Sequence, residues 1–298
     1  CFHIKKEDSP YAAEGDNGGS SRSLQSRAWT MSYFQGASFM GEEYGLCNTF
    51  DNYRDGPLSA YGRVKKDFLD LTDEYPDLGE PFTPFAVVLP KNMDILTIGE
   101  GEETYLQYPL SMYEPSFATA VTKARRTLET LLSDKDSGSV RMGSDPHVFQ
   151  NGLYPDVFDI IHADSAPAFD RYPYLIDCTG DAAFAGKYAD RIVPVEGVRT
   201  VLDGLLPVKV TGGPEVACNR TADGWRLLLM NNNGVDRTPK DGDVLLPEAT
   251  LTAEILPGTV KDPERLHRLA GAGNCVLSAD AGHVTLTMPA GSWILLAL

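Results

Sequence analysis

The chain has no closely spaced cysteine pair, no apolar run long enough to cross a bilayer and no cluster of lysine and arginine, and each gap removes a class of function. Its cysteines, Cys1, Cys47, Cys178, Cys218 and Cys275, are odd in number and scattered over 298 residues, whereas metal sites and disulfide frameworks show tight spacings. Reduced, packed thiols are expected. The histidines, His3, His147, His162, His267 and His283, are equally dispersed, so no metal site and no cofactor is expected. No stretch approaches the roughly 18 apolar residues of a membrane span, and the start shows no charged, apolar and small-residue leader. Acidic residues outnumber basic ones by 42 to 26, for a net charge of -16. A surface that tracks phosphates needs clustered cations, so neither nucleic acid nor a membrane is expected as a partner. No internal repeat or low-complexity tract is present. The chain opens on Cys1 and reads as lacking its true N-terminus. That leaves the compartment open, with the cytoplasm slightly preferred.

What is present is 42% hydrophobic content, ordinary for globular cores, at a length that suits about two domains of roughly 150 residues. Residues 1–80 read in β-α-β-α order. A strand-like Phe2-His3-Ile4 and a Gly/Ser-rich loop precede a helix over Arg22–Phe34, a short buried strand over Gly36–Met40 and a helix over Ala60–Asp73. In the second helix Tyr61, Val64, Phe68 and Leu71 recur close to the 3.6-residue period of a one-faced helix. Strand, acidic loop and helix form the repeat of a (β/α)₈ barrel, which carries its chemistry on loops at the C-terminal ends of the strands. A whole barrel takes about 250 residues, so 1–80 is expected to be the C-terminal end of one. Glu74 to Pro81, rich in Pro and Gly, marks a boundary.

Residues 81–206 alternate short apolar strands (Phe85–Leu89, Asp159–His162, Tyr174–Asp177, Arg191–Val195) with helices (Phe117–Leu132, Asp181–Tyr188, Gly197–Gly204). This predicts a parallel, doubly wound α/β domain of flavodoxin or amidotransferase type. Residues 207–298 carry short strands between turn signals such as Asp223-Gly224, Asn233-Gly234 and Ala290-Gly291, the pattern of a small antiparallel β-sandwich.

Glycoside hydrolysis normally uses two carboxylates about 5–10 Å apart. Glu42 and Glu43 are adjacent and leave the backbone in different directions, so at most one faces a pocket. The same pair also suits a solvated acidic loop. Tyr44 and Asn48, just beyond, are candidate sugar ligands. Glu7 follows the first strand-like segment and sits where a carboxylate could face the Glu42 loop, although Lys5-Lys6-Glu7-Asp8 also fits a charged turn. Trp29, at helical spacing with Tyr33, reads as core. Cys178 ends a strand and precedes Thr179-Gly180-Asp181 and a helix, a turn where a helix N-terminus can lower a thiol pKa. Its turn lacks the glycine on the N-terminal side, where Ile176-Asp177 stands, and no later His-x-Glu is available to activate it. Asn219-Arg220-Thr221 matches a glycosylation sequon.

Taken in order, a barrel end, an amidotransferase-like domain and a closing β domain resemble the β-galactosidases of glycoside hydrolase family 42. The segments Gly224–Val235 and Val284–Trp293 are similar to the terminal strands of glycosidase accessory sandwiches. The resemblance implies a retaining glycosidase acting on a carbohydrate, and a middle domain without amidotransferase chemistry that builds a homo-oligomer, a trimer. It further implies Glu7 as nucleophile, with Glu42, Glu43, Tyr44 and Asn48 as substrate ligands. The acid/base Glu of that family lies on the fourth barrel strand, outside this chain, so the chain alone is expected to be inactive. One departure is that Glu42-Glu43-Tyr44 stands where the family has a tryptophan after the last strand. Two other readings remain: a non-catalytic oligomerisation and carbohydrate-binding module, and a cysteine amidohydrolase using Cys178.

Overall fold

A computed structural model of the chain describes residues 22–41, 49–50, 55–91, 93, 114–132, 152–236, 244–280 and 283–298. They fall into two compact units. One takes Cys1–Pro81, Val210–Leu256 and Asp262–Leu298, and the other takes Phe82–Lys209 and Pro257–Lys261. In chain order the elements are α1 (Arg22–Phe34), α2 (Ala60–Glu74), β1 (Glu80–Pro81), β2 (Phe85–Leu89), α3 (Pro115–Leu132), β3 (Phe158–His162), β4 (Tyr174–Asp177), α4 (Ala182–Lys187) and α5 (Val198–Asp203). The remaining strands are β5 (Val208–Val210), β6 (Glu215–Arg220), β7 (Trp225–Met230), β8 (Val235–Asp236), β9 (Val244–Leu245), β10 (Leu251–Pro257), β11 (His267–Ala272), β12 (Val276–Asp280), β13 (His283–Met288) and β14 (Trp293–Ala297).

The first unit is built on a five-stranded sheet in the order β1-β6-β7-β14-β11, together with β12, β13 and most of β10 from a four-stranded sheet in the order β12-β13-β10-β5. Every strand pairing resolved residue by residue in these two sheets is antiparallel. The sequences of β7 and β14, WRLLLM and WILLA, are nearly unbroken apolar runs, the mark of strands covered on both faces. The register explains the cover. Trp293 faces Met230 and Leu295 faces Leu228, so these four share one side, where they form a core with Ala217, Phe34, Leu71 and Leu78. The alternate residues Leu227, Leu229, Ile294 and Leu296 are buried on the other side. In β10 and β13 burial alternates with the two-residue pleat, with Ala253, Ile255, Val284, Leu286 and Met288 inside.

Both N-terminal helices pack on this sheet. The helix α2 starts at Ser59, whose Oγ accepts from the Gly62 N–H at 3.0 Å, satisfying one of the amides left unpaired at a helix start. Tyr61 and Leu71 are buried while Val64 and Phe68 are half-buried, so the predicted stripe is the packed one. The Phe68 ring meets Trp29 and Tyr33 of α1 edge-on, at 5.3 and 6.0 Å. Trp293 Nε1 donates to Ser26 Oγ at 2.8 Å, and Arg27 Nε donates to Asn232 Oδ1 at 2.8 Å. After α2 the chain turns at Gly79 (φ +84°), where a Cβ would lie 2.5 Å from the Arg220 carbonyl oxygen. Only glycine accepts both conditions, and the turn delivers Glu80 and Pro81 to the edge of β6.

This arrangement departs from a barrel end followed by separate domains. Gly36–Met40 is irregular backbone, not a buried strand, and Phe39 is 86% exposed. The segment offers three apolar residues among Gly and Ser, too few to reward burial. No strand joins α1 to α2 among the described residues, so no β/α barrel unit is seen there. Phe34 and Leu71 find their apolar partners on the five-stranded sheet instead.

The second unit has a parallel sheet in the order β3-β2-β4, extended by a parallel bridge between Leu175 and Ile192. All five residues of β2 are buried, as its continuous apolar run requires. The helix α3 packs on β2 through Ala120, Val121, Ala124, Leu128 and Leu131. Ala86, Val88 and Leu175 form a core with Phe169, Tyr172 and Phe184.

Candidate functional site

Glu7, Glu42, Glu43, Tyr44 and Asn48 all lie outside the described residues. Three other places in the fold carry groups of chemical interest.

The first is the Cys178 turn, and the predicted strand-turn-helix is there. The Cys178 N–H donates to the Val88 carbonyl at 3.0 Å, so this residue still belongs to the parallel ladder. Asp177 Oδ1 accepts from the Thr179 N–H and hydroxyl at 2.8 and 2.7 Å. Gly180 takes φ +69°, and Asp181 caps α4 by accepting from the Ala183 N–H at 2.8 Å. The thiol itself is fully buried. Burial pushes its pKa up, ahead of the opposing effects of a hydrogen bond with Thr127 and the Lys123 cation. A nucleophile needs the thiolate and access to substrate, and Cys178 has neither. The amidohydrolase reading therefore loses its residue, and α4, at six residues, does not reverse the shift.

The second is a half-buried polar knot. Tyr172 Oη and Thr83 Oγ1 donate to the same oxygen, Asp159 Oδ2, at 2.7 and 2.8 Å. Asp159 is near the start of β3, opposite the carboxyl ends of the strands where ligands of open parallel sheets bind. Burial, followed by the Asp159 hydrogen bond and charge, pushes Tyr172 from 10.0 up to about 12. A raised folded-state pKa means that the contribution is whole below the unfolded value and disappears as pH rises through the folded one. Stability of the second unit is thus expected to fall between pH 10 and about 12. Denaturant titrations across that window should show the loss in the native chain and not in Tyr172→Phe. Equal loss in both would place the effect elsewhere.

The third is a groove of about 840 Å³ within the second unit, inside the roughly 300–1,000 Å³ range of small-molecule sites. One wall is the polar side of α3. The other is the end of β4 together with residues 192–196. Residue pattern does not reveal it, because a polar stripe on α3 reads the same whether it faces solvent or a groove. Among the described residues no group of three or more His, Cys, Asp or Glu side chains is placed to hold a metal ion. Asn219 of the sequon is fully buried, and its Nδ2 donates to the Phe34 carbonyl at 2.6 Å. The folded chain therefore presents no glycan acceptor there.

No protein-family model matches the chain, and none of the curated proteins matches it. Among solved structures it is similar to an alpha-amylase from H. orenii, at 13% identity and a TM-score of 0.20, over 30% of this chain and 15% of that one. It is also similar to a debranching enzyme from Nostoc punctiforme, at 13% identity and a TM-score of 0.19, over 92% of this chain and 46% of that one. The chain spans less than half the length of either. Both neighbours are glycoside hydrolases, and TM-scores of this size carry no argument about shared fold or chemistry.

Proposed function

We propose that this chain is the C-terminal portion of a glycoside hydrolase resembling the family 42 β-galactosidases. In this reading Glu7 is the nucleophile and Glu42, Glu43, Tyr44 and Asn48 hold the sugar. The observation that supports it best is the Cys178 turn. A parallel α/β unit keeps the strand-turn-helix of an amidotransferase while its thiol is fully buried and its pKa raised. That is the state expected of a unit whose role is assembly, here of a homo-oligomer, rather than catalysis. The antiparallel sheets formed by β6, β7, β10, β13 and β14 suit the accessory β domain of the same resemblance.

The chemistry requires a second carboxylate as acid/base, which the reading places upstream on a strand this chain does not contain. The experiment is hydrolysis of a panel of aryl glycosides by two proteins: the 298-residue chain, and a version extended upstream by its genomic reading frame. The expected result is turnover of an aryl β-galactoside by the extended protein and none by the chain alone. No turnover of any aryl glycoside by the extended protein would leave the assembly and carbohydrate-binding role in place of the enzyme.

A further inference from the structure

The walls of the groove in the second unit are chemically matched to one class of ligand. On α3, Lys123 and Arg126 lie about one helical turn apart on the groove side. Both are exposed, and neither forms an ion pair among the described residues, whereas Arg125 on the same helix pairs with Glu129 at 3.5 Å. On either side of them along α3, the Thr119, Thr122 and Thr130 hydroxyls donate to the carbonyls of Pro115, Ala118 and Arg126, each at 2.8 Å. Their protons are committed to the helix, so toward the groove they are acceptors.

The facing wall brings two carboxylates, Asp177 and Glu196, beside an apolar strip that includes Ile176, Val193 and Val195. Two cations against two carboxylates cancel formally. An anionic ligand gains from one wall what it loses to the other, and a purely apolar one takes water from the exposed Lys123, Arg126 and Glu196 without replacing its hydrogen bonds. The fitting ligand carries no net charge, donates and accepts along its whole length, and has CH faces for the aliphatic strip.

We propose that this groove binds a neutral oligosaccharide, as an accessory site whose polar contacts come from Lys123, Arg126, Asp177 and Glu196. The choice of a saccharide over other neutral polyols rests on the glycosidase reading; the charge balance and hydrogen-bonding capacity do not. Among the described residues lining the groove none is aromatic, so ring stacking from them adds nothing and the expected affinity is weak, with a Kd of about 1 mM.

The test is titration of the intact chain, by calorimetry or NMR, with cellotriose, maltotriose and β-1,4-galactotriose, and with inorganic phosphate as the charged control. At least one trisaccharide is expected to bind. Lys123→Met, Arg126→Met and Glu196→Gln are each expected to weaken it about fivefold, roughly the loss of one hydrogen bond. All three side chains are exposed, and an unchanged circular dichroism spectrum shows that each variant is folded. Absence of binding by every trisaccharide, binding that the three variants leave untouched, or competition by phosphate overturns the proposal. Failure here with aryl glycoside hydrolysis intact removes only the groove. Sugar binding without hydrolysis removes only the enzyme reading.

Discussion

Replacing Phe34 with alanine is expected to cost the first unit about 4 kcal/mol of stability, near the middle of the range for a fully buried aromatic. Phe34 is 0% exposed at the end of α1 and packs in one core with Leu228, Met230, Trp293 and Leu295. Its removal takes away a fully buried aromatic contact between α1 and the five-stranded sheet and leaves a cavity that the β-ladder cannot collapse to fill. The measurement is the shift in denaturant midpoint, with Leu69→Ala as control. Leu69 lies on the outer side of α2 at 59% exposure, so its truncation should stay within about 0.5 kcal/mol. A Phe34→Ala cost below about 1 kcal/mol would mean that α1 and α2 are not anchored on the sheet, and would restore 1–80 as a piece of a separate domain.

Glu7→Gln is expected to lower kcat of the extended protein on an aryl β-galactoside by at least about 100-fold, in the range for removal of a group that acts on the reacting bond. The amide keeps the size of the carboxylate but cannot form the glycosyl-enzyme ester of a retaining reaction. Because the change falls in the transition state more than in ground-state binding, kcat and kcat/KM should drop together. Glu42→Gln and Glu43→Gln, assigned to substrate binding, should act mainly on KM. Unchanged turnover in Glu7→Gln would remove it as nucleophile, and a kcat collapse in Glu42→Gln or Glu43→Gln instead would move the nucleophile to that loop.

Much of the secondary structure can be read from residue pattern. The Tyr61, Val64, Phe68 and Leu71 spacing predicts α2 and its buried stripe, the uninterrupted run in β2 predicts a strand covered on both faces, and β7 and β14 read as strands of a sandwich. What pattern does not reveal is the identity of the cover. WRLLLM and WILLA suit the inside of a sandwich, yet Leu228, Met230, Trp293 and Leu295 share a core with Phe34, Leu71 and Leu78 from the other end of the sequence. Strand β11 escapes detection for a related reason. His267-Arg268-Leu269-Ala270-Gly271-Ala272 has one large apolar residue, two alanines and a glycine, and it becomes a strand only by pairing with β14, with a bulge between Arg268 and Ala270. Gly36–Met40 is the opposite case: it has the length of a strand but is irregular backbone, with Phe39 exposed.

At the candidate site the local pattern at Cys178 was legible and its electrostatics were not. The strand, the Gly180 turn and the capped helix follow from the residues. The direction of the thiol pKa depends instead on burial under the surrounding elements, which outweighs a helix of six residues. Lys123 and Arg126 look like ordinary solvated positions until residues 192–196 stand opposite them.

The bulk of the α/β unit lies in the chain between the first segment of the β-rich one, Cys1–Pro81, and its two later segments, and this sets an order of events during synthesis. Strands β2, β3 and β4 and the Ile192 bridge all lie within residues 85–192, so the parallel sheet can close while later residues are still being added. Phe34 and Leu71 wait for Leu228 and Trp293, more than half of the chain away, with their apolar faces uncovered. The nascent helices are therefore the part of this protein most exposed to aggregation and most in need of a chaperone. The slow step of refolding is expected to be their capture by the completed β7-β14 pair, not formation of the parallel sheet.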